Sequence, residues 1–201
     1  GASARRPTDW PADLKLTNFP LWDQESAEHF PPGLEEFLAN GEPPVVFTGG
    51  TGFATRLPFY QECLQACQAN GFRGLLLTRH PANVPQGLSD RVRHFPYAPF
   101  SQLLPRAAAI VHHGGIGTLA QALAAGIPQV ILPQAHDQFD NAWRARRLGV
   151  SCGGPLAKGL ARALHDPSLR QRAIHLSARV SSGLDEAVSA IEGLPPGIAS
   201  L

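Results

Sequence analysis

Short apolar runs alternate with helical stretches along most of this chain, and few folds accept that pattern. Strands are predicted at residues 45–48, 74–78, 108–111 and 129–132, with 91–95 as a further candidate. Between and after them the spacing predicts helices at 57–70, 117–125, 139–148, 156–165, 168–181 and 184–192, with a short helical turn at 101–106. Gly71, Gly126 and Gly149 stand just past three of these helices, where a C-terminal glycine belongs. The strand segments are continuous Val, Ile and Leu without polar alternation, so both faces of each are expected to be buried. The fold class expected is therefore α/β: a Rossmann-like parallel sheet with helices on both faces. In such sheets ligands gather outside the carboxyl ends of the strands, near the switch point of the strand order. The glycine- and histidine-rich turns of this chain all follow strands and so collect on one edge.

The most specific of those turns is Val111-His112-His113-Gly114-Gly115-Ile116-Gly117-Thr118. It reads as a buried strand, a glycine turn and a helix start. Glycines there let a ligand approach backbone N–H groups, and those donors, with the positive helix end, favour phosphate. Adjacent strand residues point to opposite faces, so only one of the two histidines is expected to reach a ligand. Thr118 suits phosphate contact as well as a first-turn hydroxyl role. The turn after the first strand, Thr48-Gly49-Gly50-Thr51-Gly52, is a second candidate anion nest. Gly126-Ile127-Pro128 and a further strand lead to His136-Asp137-Gln138. Asp137 either caps the following helix or, with the Gln138 amide, binds vicinal hydroxyls of a sugar, which both donate and accept.

Several chemistries fit poorly. No Gly-Lys-Ser or Gly-Lys-Thr occurs, which excludes a Walker-type phosphate loop. Gly115-Ile-Gly117-Thr-Leu-Ala120 formally matches a dinucleotide fingerprint with Asp137 about twenty residues on, but that turn normally opens a fold, and this one comes late. His112, His113, His136 and Asp137 are possible metal ligands, yet adjacent histidines on a strand diverge and no HxH or HExxH spacing occurs, so no metal is expected. The net charge of +1, with only two lysines (Lys15 and Lys158), gives no footprint for nucleic acid. The densest basic group, Arg144, Arg146 and Arg147, reads as a solvated helix face. Cys63, Cys67 and Cys152 form no CxxC pair and are expected to be buried thiols, in keeping with a cytoplasmic protein. No apolar run is long enough to span a bilayer.

Residues 1–44 are rich in proline and polar side chains and are expected to form a lead-in or interdomain segment ending in a short helix at 32–40. The folded domain is expected at 45–194, and 195–201 as a loose tail. The chain contains no methionine, which leads us to expect a piece of a longer protein.

Taken together, the string from His112 to Thr118, Gly126-Ile-Pro128, Pro133, Asp137-Gln138-x-x-Asn141-Ala and Leu148-Gly149-Val150 resembles the C-terminal, donor-binding domain of the UDP-glycosyltransferase superfamily. Asp9-Trp10-Pro11 and Val45-Val46-Phe47-Thr48 fit the same domain, and the likeness is nearest to bacterial natural-product and sterol-type enzymes. The resemblance implies the C-terminal half of a GT-B enzyme: two Rossmann-like domains about a cleft, the present one holding a UDP- or dTDP-sugar. The partner half, on the N-terminal side, would bind the acceptor and carry the catalytic base. The chemistry implied is hexose transfer to an acceptor hydroxyl with inversion and without a metal or other cofactor. By position, the resemblance gives the diphosphate to His113, Gly115, Gly117, Thr118 and Thr51, and the transferred sugar to Asp137 and Gln138. Tyr97 falls near the aromatic that stacks on the base, with Phe95 and Phe100 as competitors. Gln121 stands where many relatives have the glutamate that clamps the ribose, and Ile116 replaces a tryptophan; uracil and thymine both remain open. A nucleotide-sugar epimerase of the same fold, an NAD-dependent oxidoreductase domain and a catalytically silent binding module are the alternatives.

Overall fold

The computed structural model describes residues 8–12, 14–23, 30–50 and 56–193. Six strands form one parallel sheet: β1 Val45–Thr48, β2 Gly74–Leu77, β3 Val92–Phe95, β4 Ala109–His112, β5 Gln129–Ile131 and β6 Ser151–Cys152. Their order across the sheet is β3-β2-β1-β4-β5-β6, the doubly wound arrangement whose direction reverses between β1 and β4. Eight α-helices accompany them among the described residues: α1 Leu34–Ala39, α2 Leu57–Asn70, α3 Phe100–Leu103, α4 Ile116–Ala125, α5 Gln138–Arg147, α6 Leu156–His165, α7 Pro167–Ser177 and α8 Leu184–Glu192.

Both faces of the sheet are covered, and the alternation of each strand divides the core. Val45, Phe47, Leu76, Val111 and Val130 face α2 and α6, whose Tyr60, Cys63, Leu64 and Cys67, and Leu156, Leu160 and Ala163, recur at helical spacing. Val46, Leu75, Leu77 and Ile110 face the other way, against Leu34 and Phe37 of α1, Leu103 of α3 and Ala122 of α4. A third cluster joins Ile131 to Leu119 and Leu123 of α4, Ala142 and Ala145 of α5, and Ala173 of α7. The three cysteines are buried free thiols, and burial pushes Cys67 up to about 12. No helix among the described residues is long and apolar enough to cross a membrane.

Local chemistry sets the element ends. Gly71, at φ 68°, closes α2 where the sequence placed its stop, its N–H bonding the Cys67 carbonyl. Asp166 caps α7, accepting from the Ser168 N–H at 3.0 Å with Pro167 as the first helical residue, and the helix ends at Ser177 rather than at 181. Strand β6 was not anticipated, because two residues carry no readable period. The N-terminal segment packs onto the folded unit. The Asp23 carboxylate accepts from the N–H groups of Phe100 and Ser101 at 3.1 and 2.9 Å and so caps α3. The Gly183 N–H donates to the Phe19 carbonyl at 2.8 Å.

Helix α6 lies close enough to the sheet for one glycine to be a packing requirement. A Cβ on Gly159 would stand 2.9 Å from Val130 Cγ1. Alanine for glycine inside a helix ordinarily stabilises by about 0.5–1 kcal/mol. Here the stiff, β-branched Val130 cannot yield without disturbing β5, and overpacking costs about 1–3 kcal/mol. Gly159→Ala is therefore expected to destabilise by about 1 kcal/mol net, read as a lowered urea midpoint at unchanged m-value. A raised midpoint would show that the helix rides further from the sheet.

Candidate functional site

The switch point of the sheet lies between β1 and β4, and the two glycine turns that leave these strands meet there. After β1, the Gly49 N–H donates to the Tyr60 hydroxyl at 3.0 Å, and that hydroxyl donates to the Leu77 carbonyl at 2.6 Å. Tyr60 thus pins the first turn to α2 and to the neighbouring strand; burial raises its pKa and keeps it a neutral donor. Gly50 follows at φ 75°, a left-handed conformation that glycine adopts without strain. Thr51 lies outside the described residues.

After β4 the two histidines diverge, with ring planes at 89°. His112 is fully buried and ends the strand. Its Nδ1 accepts from the Gly114 N–H at 3.1 Å, so Nε2 carries the proton and donates to Gln129 Oε1 at 2.9 Å. Burial holds its pKa down at about 4, so it remains neutral and acts as a peg for the turn. His113 turns toward the first turn instead. A Cβ on Gly50 would stand 2.4 Å from its Cε1, and a Cβ on Gly115 2.4 Å from its Nε2. The imidazole is clasped between two glycines, one from each turn, which no larger residue permits. Its Nδ1 is buried without a hydrogen-bond partner among the described residues. Burial lowers its pKa first, the Arg56 charge adds to this, and Asp137 opposes it. His113 is consequently a neutral donor or acceptor at neutral pH.

Helix α4 begins immediately beyond. Gly115 is its N-cap, with extended backbone and no side-chain cap, so among the described residues the N–H groups of Ile116, Gly117 and Thr118 open the helix as unspent donors. Gly117 is exposed, and a Cβ there would meet nothing within 4 Å. The loop carrying the acid-amide couple comes alongside. Asp137 occupies the N-cap position of α5 but makes no side-chain cap; its Oδ2 accepts from Asn141 Nδ2 at 2.8 Å. The same Nδ2 donates to the Gly114 carbonyl at 2.9 Å, tying this helix to the glycine turn. Gln138 is buried, and its Oε1 accepts from the N–H groups of Gln134 and Ala135 at 2.9 and 3.1 Å. Its Nε2 is the end left to donate. His136 just ahead adopts φ 53°, uncommon for a residue with a Cβ, which brings the exposed Asp137 round to the edge of the sheet.

The structure thus brings together His113, Gly115, Gly117, Thr118, Asp137 and Gln138 on one edge. The other two candidates lie apart from this group. Tyr97 follows β3, two strands from β1, where the Arg79 guanidinium stacks on its ring at 4.9 Å. Gln121, further along α4, donates to the Trp22 carbonyl at 3.2 Å and lines a recess of about 320 Å³ with Leu21, Asp23 and Ser101. Among the described residues no group of three or more His, Cys, Asp or Glu side chains could hold a metal ion. The dinucleotide fingerprint fails for a structural reason: its glycines follow β4 rather than β1, and Asp137 stands at a helix start, not at the end of the next strand.

Two residues at the site were not among the candidates from sequence. Asn141 bridges Asp137 and the glycine turn, as above. Arg56 is 5% exposed, and its stem lies directly under the first turn, where a Cβ on Gly49 would meet its Cδ at 2.5 Å. Its backbone N–H donates to Asn83 Oδ1 at 2.7 Å, and its Nη1 donates to Gln134 Oε1 at 2.7 Å. The only signal in the sequence was a charged residue directly before the Leu57-Pro58 helix start, after a glycine turn.

Comparison with known proteins supports the fold. The chain is 38% identical over 199 residues to the O-mycaminosyltylonolide 6-deoxyallosyltransferase of Streptomyces fradiae, covering 93% of this chain and 46% of that protein. Among solved structures, the glycotransferase of kitacinnamycin superposes with a TM-score of 0.69 at 28% identity, over 78% of this chain and 44% of the other. The glycosyltransferase VinC, solved with dTDP, gives a TM-score of 0.63 at 25% identity, over 78% of this chain and 43% of that one. The chain spans about half the length of the curated relatives it matches. These relatives favour the glycosyltransferase likeness over the epimerase and oxidoreductase alternatives. The model of the erythromycin biosynthesis protein CIII-like C-terminal domain matches residues 77–183, more than half of the sequence, and the chain belongs to that family.

Proposed function

We propose that this chain is the donor half of an inverting glycosyltransferase and holds a nucleoside-diphosphate hexose across the switch point of its sheet. The observation that carries the reading is the clasped His113 imidazole, with a buried, unsatisfied Nδ1, beside the uncapped start of α4. A pyrophosphate supplies acceptor oxygens to the N–H groups of Ile116, Gly117 and Thr118, and the positive helix end favours its charge. Those fixed donors stabilise the charge that grows on the leaving nucleoside diphosphate, so no divalent ion is needed. Asp137 and the Gln138 amide face the hexose hydroxyls, one accepting and one donating. Tyr97 and Gln121 are the groups we assign to base and ribose. The complex of VinC with dTDP supports a nucleoside diphosphate, with thymine as one base, as the donor carrier. The acceptor and the base that deprotonates its hydroxyl belong to a second domain of the same protein, and displacement at the anomeric carbon then inverts it.

Titration calorimetry with UDP, dTDP and NAD tests the reading. Binding of a nucleoside diphosphate is expected, and binding of NAD alone would refute it. His113→Ala is expected to weaken the diphosphate by roughly 1–3 kcal/mol, as for loss of a hydrogen bond to a charged group. Unchanged affinity in that variant would remove His113 from the site.

A further inference from the structure

We propose that Arg56 is the resident cation of the donor site and the link through which diphosphate binding sets the sugar loop. The proposal rests on the reading of the switch point as a diphosphate cradle. Apart from it, the donors that the described residues bring to the two turns are backbone N–H groups, hydroxyls and neutral imidazoles, which carry partial charge only. Arg56 brings a full one. It is nearly buried, its stem is fixed beneath Gly49, and its backbone is fixed by Asn83, so the guanidinium is held at the carboxyl edge between the first turn and the loop after β5. Its charge reaches the His113 ring, where it adds to the larger effect of burial in lowering that histidine's pKa.

The hydrogen bonds continue from there. Arg56 Nη1 donates to Gln134 Oε1, the Gln134 N–H donates to Gln138 Oε1, and Gln138 adjoins Asp137. An arginine fork has donors enough to bond a phosphate oxygen with one nitrogen while another keeps Gln134. A diphosphate that draws the guanidinium toward the first turn therefore acts, through Gln134, on the amide that faces the hexose. Arg56 is in this sense a diphosphate-binding residue, and a positioning residue toward the sugar.

The test uses the 201-residue chain with dTDP, thymidine and a dTDP-hexose as probes. Arg56→Gln is expected to weaken dTDP by roughly 10- to 150-fold while leaving thymidine unchanged, and Arg56→Lys to recover part of the loss. Gln134→Ala keeps the charge; it is expected to leave dTDP affinity alone and to erase the added affinity of the dTDP-hexose. His113 supplies a second readout by NMR. Arg56, Asp137 and His112 are the titratable groups that face it, and loss of the arginine charge is expected to raise its titration midpoint. If Arg56→Gln fails to fold, the wild-type Arg56 Nε–H resonance decides the matter. It is expected to shift with dTDP and not with thymidine. Wild-type chain that binds no nucleoside diphosphate would overturn both the cradle and this inference. Equal loss of dTDP and thymidine in Arg56→Gln, an unchanged dTDP affinity, or a silent Nε–H would overturn the inference alone.

Discussion

Gly50→Ala is expected to lose about 2–5 kcal/mol of stability, from roughly 1–2 kcal/mol for a side chain in the left-handed region and about 1–3 kcal/mol for overpacking. At φ 75° the backbone resists any Cβ, and that Cβ would lie 2.4 Å from His113 Cε1. A clash with the end of a side chain is often relieved by rotation. Here the ring is closed in from the other side, because the same imidazole comes 2.4 Å from the Cβ position of Gly115. The ring can escape only by leaving the clasp, so nucleoside diphosphate binding is expected to fall with stability. Gly117→Ala is the internal control. Its Cβ meets nothing, it sits in the first turn of α4, and its stability is expected to match or slightly exceed the wild type. Urea unfolding and calorimetry with dTDP, run on both variants, separate the two roles. Gly50→Ala within about 0.5 kcal/mol of wild type would mean that His113 is not clasped, since changes of that size are ordinary for unremarkable surface sites.

Much of this architecture is legible from local pattern. Helix α2 runs from Leu57 to Asn70 and stops at Gly71 as its sequence indicates, because a stripe at Tyr60, Cys63, Leu64 and Cys67 and a C-terminal glycine are both local signals. The strand-turn-helix around His112 to Thr118 was readable for the same reason. What escaped is non-local. Arg56 and Gln134 are 78 positions apart, and nothing in either segment announces that they bond. Asn141 was visible within a motif, but its bond back to the Gly114 carbonyl depends on how α5 packs beside α4. The divergence of the two histidines was expected from strand alternation alone. Which one is buried is decided by Gln129 on the neighbouring strand, a pairing that only the register supplies. Gln121, singled out by position in a motif, donates to Trp22 in a segment 99 residues away.

Acid is expected to weaken the folded chain by about 3 kcal/mol through His112 alone, and the sign follows from where its proton can go. In the unfolded chain the imidazole titrates near its ordinary value of about 6.5. Folded, it is fully buried, and burial holds it at about 4; the bond to Gln129 opposes that shift, and the nearby His113 adds slightly to it. The folded state therefore excludes a proton that the unfolded state accepts. Stability from this group is complete above pH 6.5 and is lost as the pH falls toward 4, at about 1.4 kcal/mol per unit in between. The loss has a structural reading, since Nδ1 is the acceptor for the Gly114 N–H and protonation would turn that acceptor into a donor facing a donor. The glycine turn would lose its peg at the same pH at which the core loses its neutral imidazole. Urea unfolding between pH 7 and pH 4 is the measurement, with His112→Gln as the reference because it keeps a polar side chain and removes the titration. The wild type is expected to show the steeper decline, and the difference in slope between the two proteins isolates His112 from the carboxylates that titrate at the lower end of the range. Parallel slopes would mean that the imidazole is protonated or solvated in the fold, and that the turn is held by something other than its Nδ1.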